Sequence, residues 1–249
     1  MLRSSYMRIS SALCFLTIAA SGVLRADVVP INNSGFESGN LTQVGNGTFS
    51  QLVPGSSIFA AGGTLDNWTV GFSTTASAAG GFDPSSGGVN WTTKWWDGNN
   101  IAYLQIGAAG TVSLSQTLTA TLLDNSTYTL SALIGRREFT PNFNYAIQLY
   151  AGSTLLDSAS SVSLASNSSG SDSFVYSSGA SNALAGQNLK IVLSSTFTGG
   201  FTEAFFDDVA LSVNTPNAVP EPGTLWPLLT LAAFVACVQT IRLRRRASR

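Results

Sequence analysis

The chain has 249 residues, with 12 basic and 13 acidic side chains, two cysteines and no histidine. The missing histidine excludes Ser-His-Asp and Cys-His catalysis, histidine zinc sites and imidazole pH switches. A charged fraction of only 10% and a mean hydropathy of +0.22 point to segments that leave water.

Taken in chain order, the sequence opens with Arg3 and Arg8, an apolar run over residues 9–23, and the small residues Ala20, Gly22 and Ala26. This is the pattern of a secretory signal peptide over residues 1–26; an uncleaved anchor helix is the alternative. Residues 27–213 then read as one β-domain. Short alternating or β-branched runs predict strands at 28–31, 68–72, 101–106, 111–118, 127–134, 144–150, 173–176, 189–195 and 205–213, and no long window has helical periodicity. In the run 127–134, Tyr128, Leu130, Ala132 and Ile134 share one face and Thr127, Thr129 and Ser131 the other. Many two-faced strands and little helix predict an all-β antiparallel sandwich. Residues 73–90, rich in Gly, Ala and Ser, read as one surface loop.

After a linker at 214–224 comes an apolar stretch at 225–241, near the lower length limit for a membrane-spanning helix, and then a basic tail at 242–249 with Arg242, Arg244, Arg245 and Arg246. The positive-inside rule keeps that tail cytoplasmic and places the central domain outside. Cys14 and Cys237 both fall in the flanking apolar segments, so the domain has no disulfide or thiol chemistry. Eight of the twelve basic residues lie in the two flanks, and the span between them keeps four against twelve acids, a net of -8. Such a surface excludes a nucleic-acid partner.

The box Val219, Pro220, Glu221, Pro222 and Gly223, followed by one apolar stretch and an arginine cluster, resembles the PEP-CTERM sorting signal of exported bacterial proteins. The resemblance implies an exosortase partner that processes the tail after transient insertion in the inner membrane, with release to the cell surface or the extracellular matrix. A second resemblance is carried by residues 33–37 (Asn-Ser-Gly-Phe-Glu), Asn67 and Trp68, residues 97–104, the 127–136 strand and residues 206–209 (Phe-Asp-Asp-Val). These look like the galactose-binding-like jelly roll shared by carbohydrate-binding modules. That family implies a structural calcium ion held between the first and last strands, at Glu37, Asp207 and Asp208.

The phase of Asp207 with Val209 and Leu211 would point it toward the core, where a carboxylate needs a counter-charge; backbone N–H groups or Arg136 could supply one instead. Trp91, Trp95 and Trp96 could stack on sugar faces, although adjacent Trp95 and Trp96 cannot both face solvent. Arg136 and Arg137 could address acidic sugars, or pair with strand-end carboxylates such as Asp207 or Glu203. No nucleophile elbow, phosphate loop or paired catalytic carboxylates stand out. The expectation is therefore a non-catalytic surface or matrix protein associated with extracellular polysaccharide, with a purely adhesive protein or a polysaccharide-active enzyme as rivals.

Overall fold

A computed structural model of the protein describes residues 26–38, 42–44, 47–52, 65–73, 77–83, 94–138, 140, 143–198 and 201–215. The leader through Arg25, Trp91, the sorting box and everything beyond Thr215 lie outside the described residues.

The described chain is an all-β sandwich of two antiparallel sheets within one compact unit, Arg25–Pro216. Its strands are β1 (Ala26–Val29), β2 (Thr42–Val44), β3 (Gly47–Leu52), β4 (Thr69–Phe72), β5 (Ser77–Asp83), β6 (Ile101–Ile106), β7 (Gly110–Thr121), β8 (Thr127–Arg136), β9 (Ala146–Ala151), β10 (Thr154–Ala159), β11 (Ser168–Ser177), β12 (Asn188–Phe197) and β13 (Thr202–Asn214). The larger sheet runs β11-β8-β13-β6-β5-β3-β2, with β1 pairing the C-terminal part of β13. The smaller sheet runs β10-β9-β12-β7-β4. Among the described residues no helix is long and apolar enough to cross a membrane.

Alternation explains the layering. Tyr128, Leu130, Ala132 and Ile134 of β8 face Ile147 and Leu149 of β9 and Leu189, Ile191 and Leu193 of β12 across a dry core, because successive side chains on a strand point to opposite faces. Ala204 and Phe206 of β13 and Ala102, Leu104 and Ile106 of β6 continue that layer.

The predicted surface loop at 73–90 is corrected at its centre. β5 is an internal strand paired on one side with β3 and on the other with β6. Its Ser-Ala-Ala-Gly-Gly run has no β-branched residue and no bulky alternation, so nothing in the local pattern announces a strand. The small residues let β5 be covered on both faces: Ala79 packs in the main core, while Ala78 packs on the opposite side of the sheet.

That opposite side carries a second apolar cluster formed by Ala78, Ile101, Tyr103 and Phe205, with Trp95 and Trp96 packed against it. An outer sheet face that buries four apolar side chains beneath a tryptophan-bearing loop is unlike the solvated face of an ordinary sandwich. It marks the region where the chemistry-bearing residues gather.

Candidate functional site: a buried acid beside an aromatic cluster

β13 sets the site. Ala204 and Phe206 point into the sandwich, so Glu203 and Phe205 point to the outer face. Phe205 pairs with Tyr103 of β6 across the sheet, and their rings lie 6.4 Å apart at 39°. Glu203 is 4% exposed. Its Oε2 lies 3.2 Å from Nε of Arg137, which follows directly on the end of β8.

Burial pushes the Glu203 carboxyl up to about 6, against the opposing pull of the Arg137 guanidinium. The Tyr103 hydroxyl is also raised, first by burial and then by the neighbouring Glu203 charge, so it stays a neutral hydroxyl at neutral pH. Glu203 is thus a carboxyl raised toward neutrality on the same sheet face as Tyr103 and Phe205. Such a carboxyl is placed for general acid–base work.

The loop before β6 supplies the aromatic cover. Trp95 and Trp96 meet edge to face, with centroids 5.9 Å apart and planes at 86°, and Lys94 Nζ sits 5.9 Å from the Trp96 ring centroid. Trp95 lies flat on Gly135 of β8: a Cβ there would come within 2.6 Å of its Cη2 and 2.7 Å of its Cε2, and closer still to Cζ2. Only glycine leaves room for the indole. Gly135→Ala is expected to lift Trp95 off the sheet, red-shift the tryptophan emission and cost about 1–3 kcal/mol of stability, the usual penalty of overpacking; unchanged emission and stability would contradict this seat.

An acidic corner adjoins the cluster. Asp207 of β13 is fully buried, but it does not share the phase of Val209 and Leu211 as the sequence suggests. The pairing of β13 with β8 shifts register between Asp207 and Ala210, and Asp208 takes a left-handed φ of 46°. This β-bulge puts two residues between the core side chains Phe206 and Val209, so Asp207 sits on the side opposite the core. It accepts N–H bonds from Asp97 at 2.9 Å and Asp208 at 2.8 Å. Burial, joined by the charges of Asp208 and Glu37, pushes its carboxyl up to about 7. Asp208 is raised too, by burial and then by Asp97 and Glu37.

Glu37 reaches the same corner from the N-terminal turn, where its carboxylate accepts N–H bonds from Asn99 at 3.0 Å and Asn100 at 2.9 Å. Gly35 leaves an open cradle: a Cβ there would lie 3.6 Å from Asp207 Oδ1 and 3.9 Å from Asp208 Oδ1. The backbone is left-handed at Asn33, Phe36, Gly98 and Asp208, folding carbonyls and amides tightly around the corner. The donors are oxygens only, which suits a hard cation such as calcium. Among the described residues no three acidic side chains converge on one point, so a cation here would rest on fewer carboxylates supplemented by backbone carbonyls.

The structure thus brings Glu37, Asp207 and Asp208 together. It separates the two arginines: Arg137 pairs with Glu203, whereas Arg136 donates to the carbonyls of Leu164 and Thr140. Trp95 and Trp96 are half-buried in the apolar cluster instead of forming an open stacking platform. Glu203, Tyr103 and Phe205 are the candidate residues of this cluster that sequence reasoning did not single out. The usable signal was the acid–Ala–aromatic alternation of 203–205 beside the regular core phase of Ala204 and Phe206.

The sequence matches the HpiC1-like family, described as HpiC1 cyclase, over residues 27–212. Among solved structures it is similar to the Stig cyclase Fisc from Fischerella sp. TAU in complex with (3Z)-3-(1-methyl-2-pyrrolidinylidene)-3H-indole, at 23% identity and a TM-score of 0.63, covering 77% of this chain and 100% of that one. A cyclase from Fischerella sp. TAU in complex with 4-(1H-indol-3-yl)butan-2-one is 22% identical with a TM-score of 0.62, over 78% of this chain and 100% of that one. At such identity these structures show a shared fold. No curated protein matches the chain.

The family match corrects the expectations built on resemblance. The central domain is not that of a PEP-CTERM matrix protein with a carbohydrate-binding module, and the non-catalytic reading, with exosortase and extracellular polysaccharide as partners, gives way to membership of a cyclase family. The two resemblances rest on the C-terminal tail and on scattered short segments, whereas the family match spans residues 27–212.

Proposed function

The chain belongs to the HpiC1-like family, and from that premise we propose that it is a cyclase that isomerises a small hydrophobic, indole-bearing molecule by acid catalysis. The observation that carries the reading is Glu203, a buried carboxyl raised to about 6 on the sheet face that carries the aromatic pair Tyr103 and Phe205. The indole ligands of the two Fischerella proteins support the substrate class.

In the proposed reaction Glu203 delivers its proton to one carbon of a substrate alkene, whose π electrons form the new C–H bond and leave a carbocation on the other carbon. Trp95, Trp96, Tyr103 and Phe205 present π faces to that cation, a stabilisation worth about 0.5–2 kcal/mol per ring in a desolvated site. The indole ring of the same molecule attacks the cation, forming a C–C bond. The displaced ring proton returns to the Glu203 carboxylate and restores aromaticity. Substrate and product are isomers, so the cycle needs no oxidant or reductant. Tyr103, held neutral, can orient the substrate through its hydroxyl, and Arg137 keeps the Glu203 carboxylate from rising further and losing its capacity as the returning base.

We also propose that the acidic corner holds calcium, with Asp207 and Asp208 as carboxylate ligands beside Glu37. The ion would neutralise these charges and fix the 94–100 loop that carries Trp95 and Trp96. The leader at 1–26 and the acidic excess of the domain support a site of action outside the cytoplasmic membrane.

The function is tested by incubating the full chain with 3-prenylindole and resolving the products by chromatography and mass spectrometry. The expected result is a new species of unchanged mass that is absent without enzyme. Recovery of unchanged substrate would contradict the proposal.

A further inference from the structure

At one end of the sandwich an open cleft of about 570 Å³ lies among the ends of β8 and β12, the start of β9 and the segment before β11. Its volume falls in the range of small-molecule sites, and it shares no lining residue with the Glu203 cluster. Phe143 and Phe197 supply apolar walls, Ser163, Thr196 and Thr198 supply hydroxyls, and Arg136 supplies a positive charge.

The arginine is fixed before any ligand arrives. Its Nη1 donates to the Leu164 carbonyl at 2.7 Å and its Nη2 to the Thr140 carbonyl at 3.0 Å, and the guanidinium lies 5.8 Å from the Phe143 ring centroid. These bonds use two of its five N–H groups. No carboxylate among the described residues forms an ion pair with it, and its buried Nε and the buried Thr140 Oγ1 have no hydrogen-bond partner.

The wall facing it is fixed as well. The Tyr145 hydroxyl donates to Asp172 at 2.6 Å and accepts from Val162 N at 2.8 Å, and Ser161 N donates to the same carboxylate at 3.1 Å. A site whose walls and charge are already ordered avoids part of the entropy cost of binding.

We propose that this cleft binds a small organic carboxylate with an apolar body, its carboxylate on the unused N–H groups of Arg136 and its hydrocarbon between Phe143 and Phe197. The forked guanidinium suits a planar carboxylate, and the flanking hydroxyls can complete its hydrogen bonds. The proposal stands apart from the cyclase reading, since neither Glu203 nor its aromatic neighbours line the cleft.

Titration calorimetry of the full chain with 3-phenylpropanoate and with 3-phenylpropanamide, which has the same shape and no charge, tests it. The carboxylate should bind at least tenfold more tightly than the amide. Arg136→Gln should remove that preference. Because Arg136 also ties two loop carbonyls, Thr198→Trp is the companion variant: Thr198 is exposed, and the indole should fill the cleft and abolish binding without lowering the melting temperature. Glu203→Gln should bind the carboxylate as the parent does. Absence of carboxylate binding, equal affinity for acid and amide, or undiminished binding in folded Thr198→Trp protein would each overturn the proposal.

Discussion

Glu203→Gln is expected to lower turnover of 3-prenylindole by about 10²–10⁴-fold, the usual contribution of a positioned general acid, while leaving the fold intact. Glutamine keeps the volume and a hydrogen-bonding head but has no proton to give. The parent enzyme should also show a characteristic pH dependence. Burial raises the Glu203 carboxyl from 4.5 to about 6, so the acid form persists well above the ordinary carboxylate range and the rate should fall as pH rises through about 6. Removing the opposing charge with Arg137→Met should move that fall to higher pH, because the guanidinium is the influence that holds the carboxyl down. A rate unaffected by Glu203→Gln, or one that climbs through pH 6 to 8, would remove Glu203 from the chemistry.

The second large effect concerns the acidic corner. Asp207 is raised from 3.8 to about 7 in the folded protein, so the folded state binds a proton that the unfolded state has already lost over that interval. In chelator, stability should therefore be full below pH 3.8 as far as this group is concerned, and decline as pH rises toward about 7. Glu203 adds a smaller decline of the same sign between 4.5 and about 6.

Calcium should reverse the loss at neutral pH. At a concentration a hundredfold above its dissociation constant a ligand stabilises by about 2.7 kcal/mol, which for a domain of this size corresponds to a rise in melting temperature of roughly 5–11 °C. Asp207→Asn should raise the melting temperature in chelator at pH 7.5, by removing the buried charge, and should erase most of the response to calcium. An identical melt with calcium and with chelator would refute the ion.

Much of the sandwich was legible in the sequence, and the gaps have physical causes. β8, β9 and β12 alternate bulky apolar and polar residues, so their core faces could be read directly from Tyr128 to Ile134, from Ile147 to Leu149 and from Leu189 to Leu193. β5 escaped because Ala78, Ala79 and Gly80 are too small to carry a pattern; what makes them a strand is pairing with β3 and β6, a non-local property. β10 escaped because it is one arm of a hairpin turned at Gly152, with Leu155 left exposed.

The residues of the acidic corner were named only through the galactose-binding-like resemblance, and the orientation of Asp207 was not legible. Its phase depends on a bulge at the left-handed Asp208, and that bulge belongs to the pairing of β13 with β8, a non-local property. Glu203 was visible only as a partner for an arginine. Its raised carboxyl arises from burial on the outer face of β13, and the nearby tryptophan cover, with Trp95 seated on Gly135, joins residues forty positions apart. The tryptophans suggested sugar stacking for the same reason they suit cation stabilisation: both uses draw on an electron-rich face.

The central claim is that a proton from Glu203 enters the product, and the most direct measurement is the reaction in D2O. Glu203 exchanges with solvent, so the 3-prenylindole isomer should gain one mass unit, the deuteron residing on the former vinylic carbon while one ring hydrogen is lost. Product of unshifted mass, or labelled product formed equally well by Glu203→Gln, would contradict acid catalysis at this site.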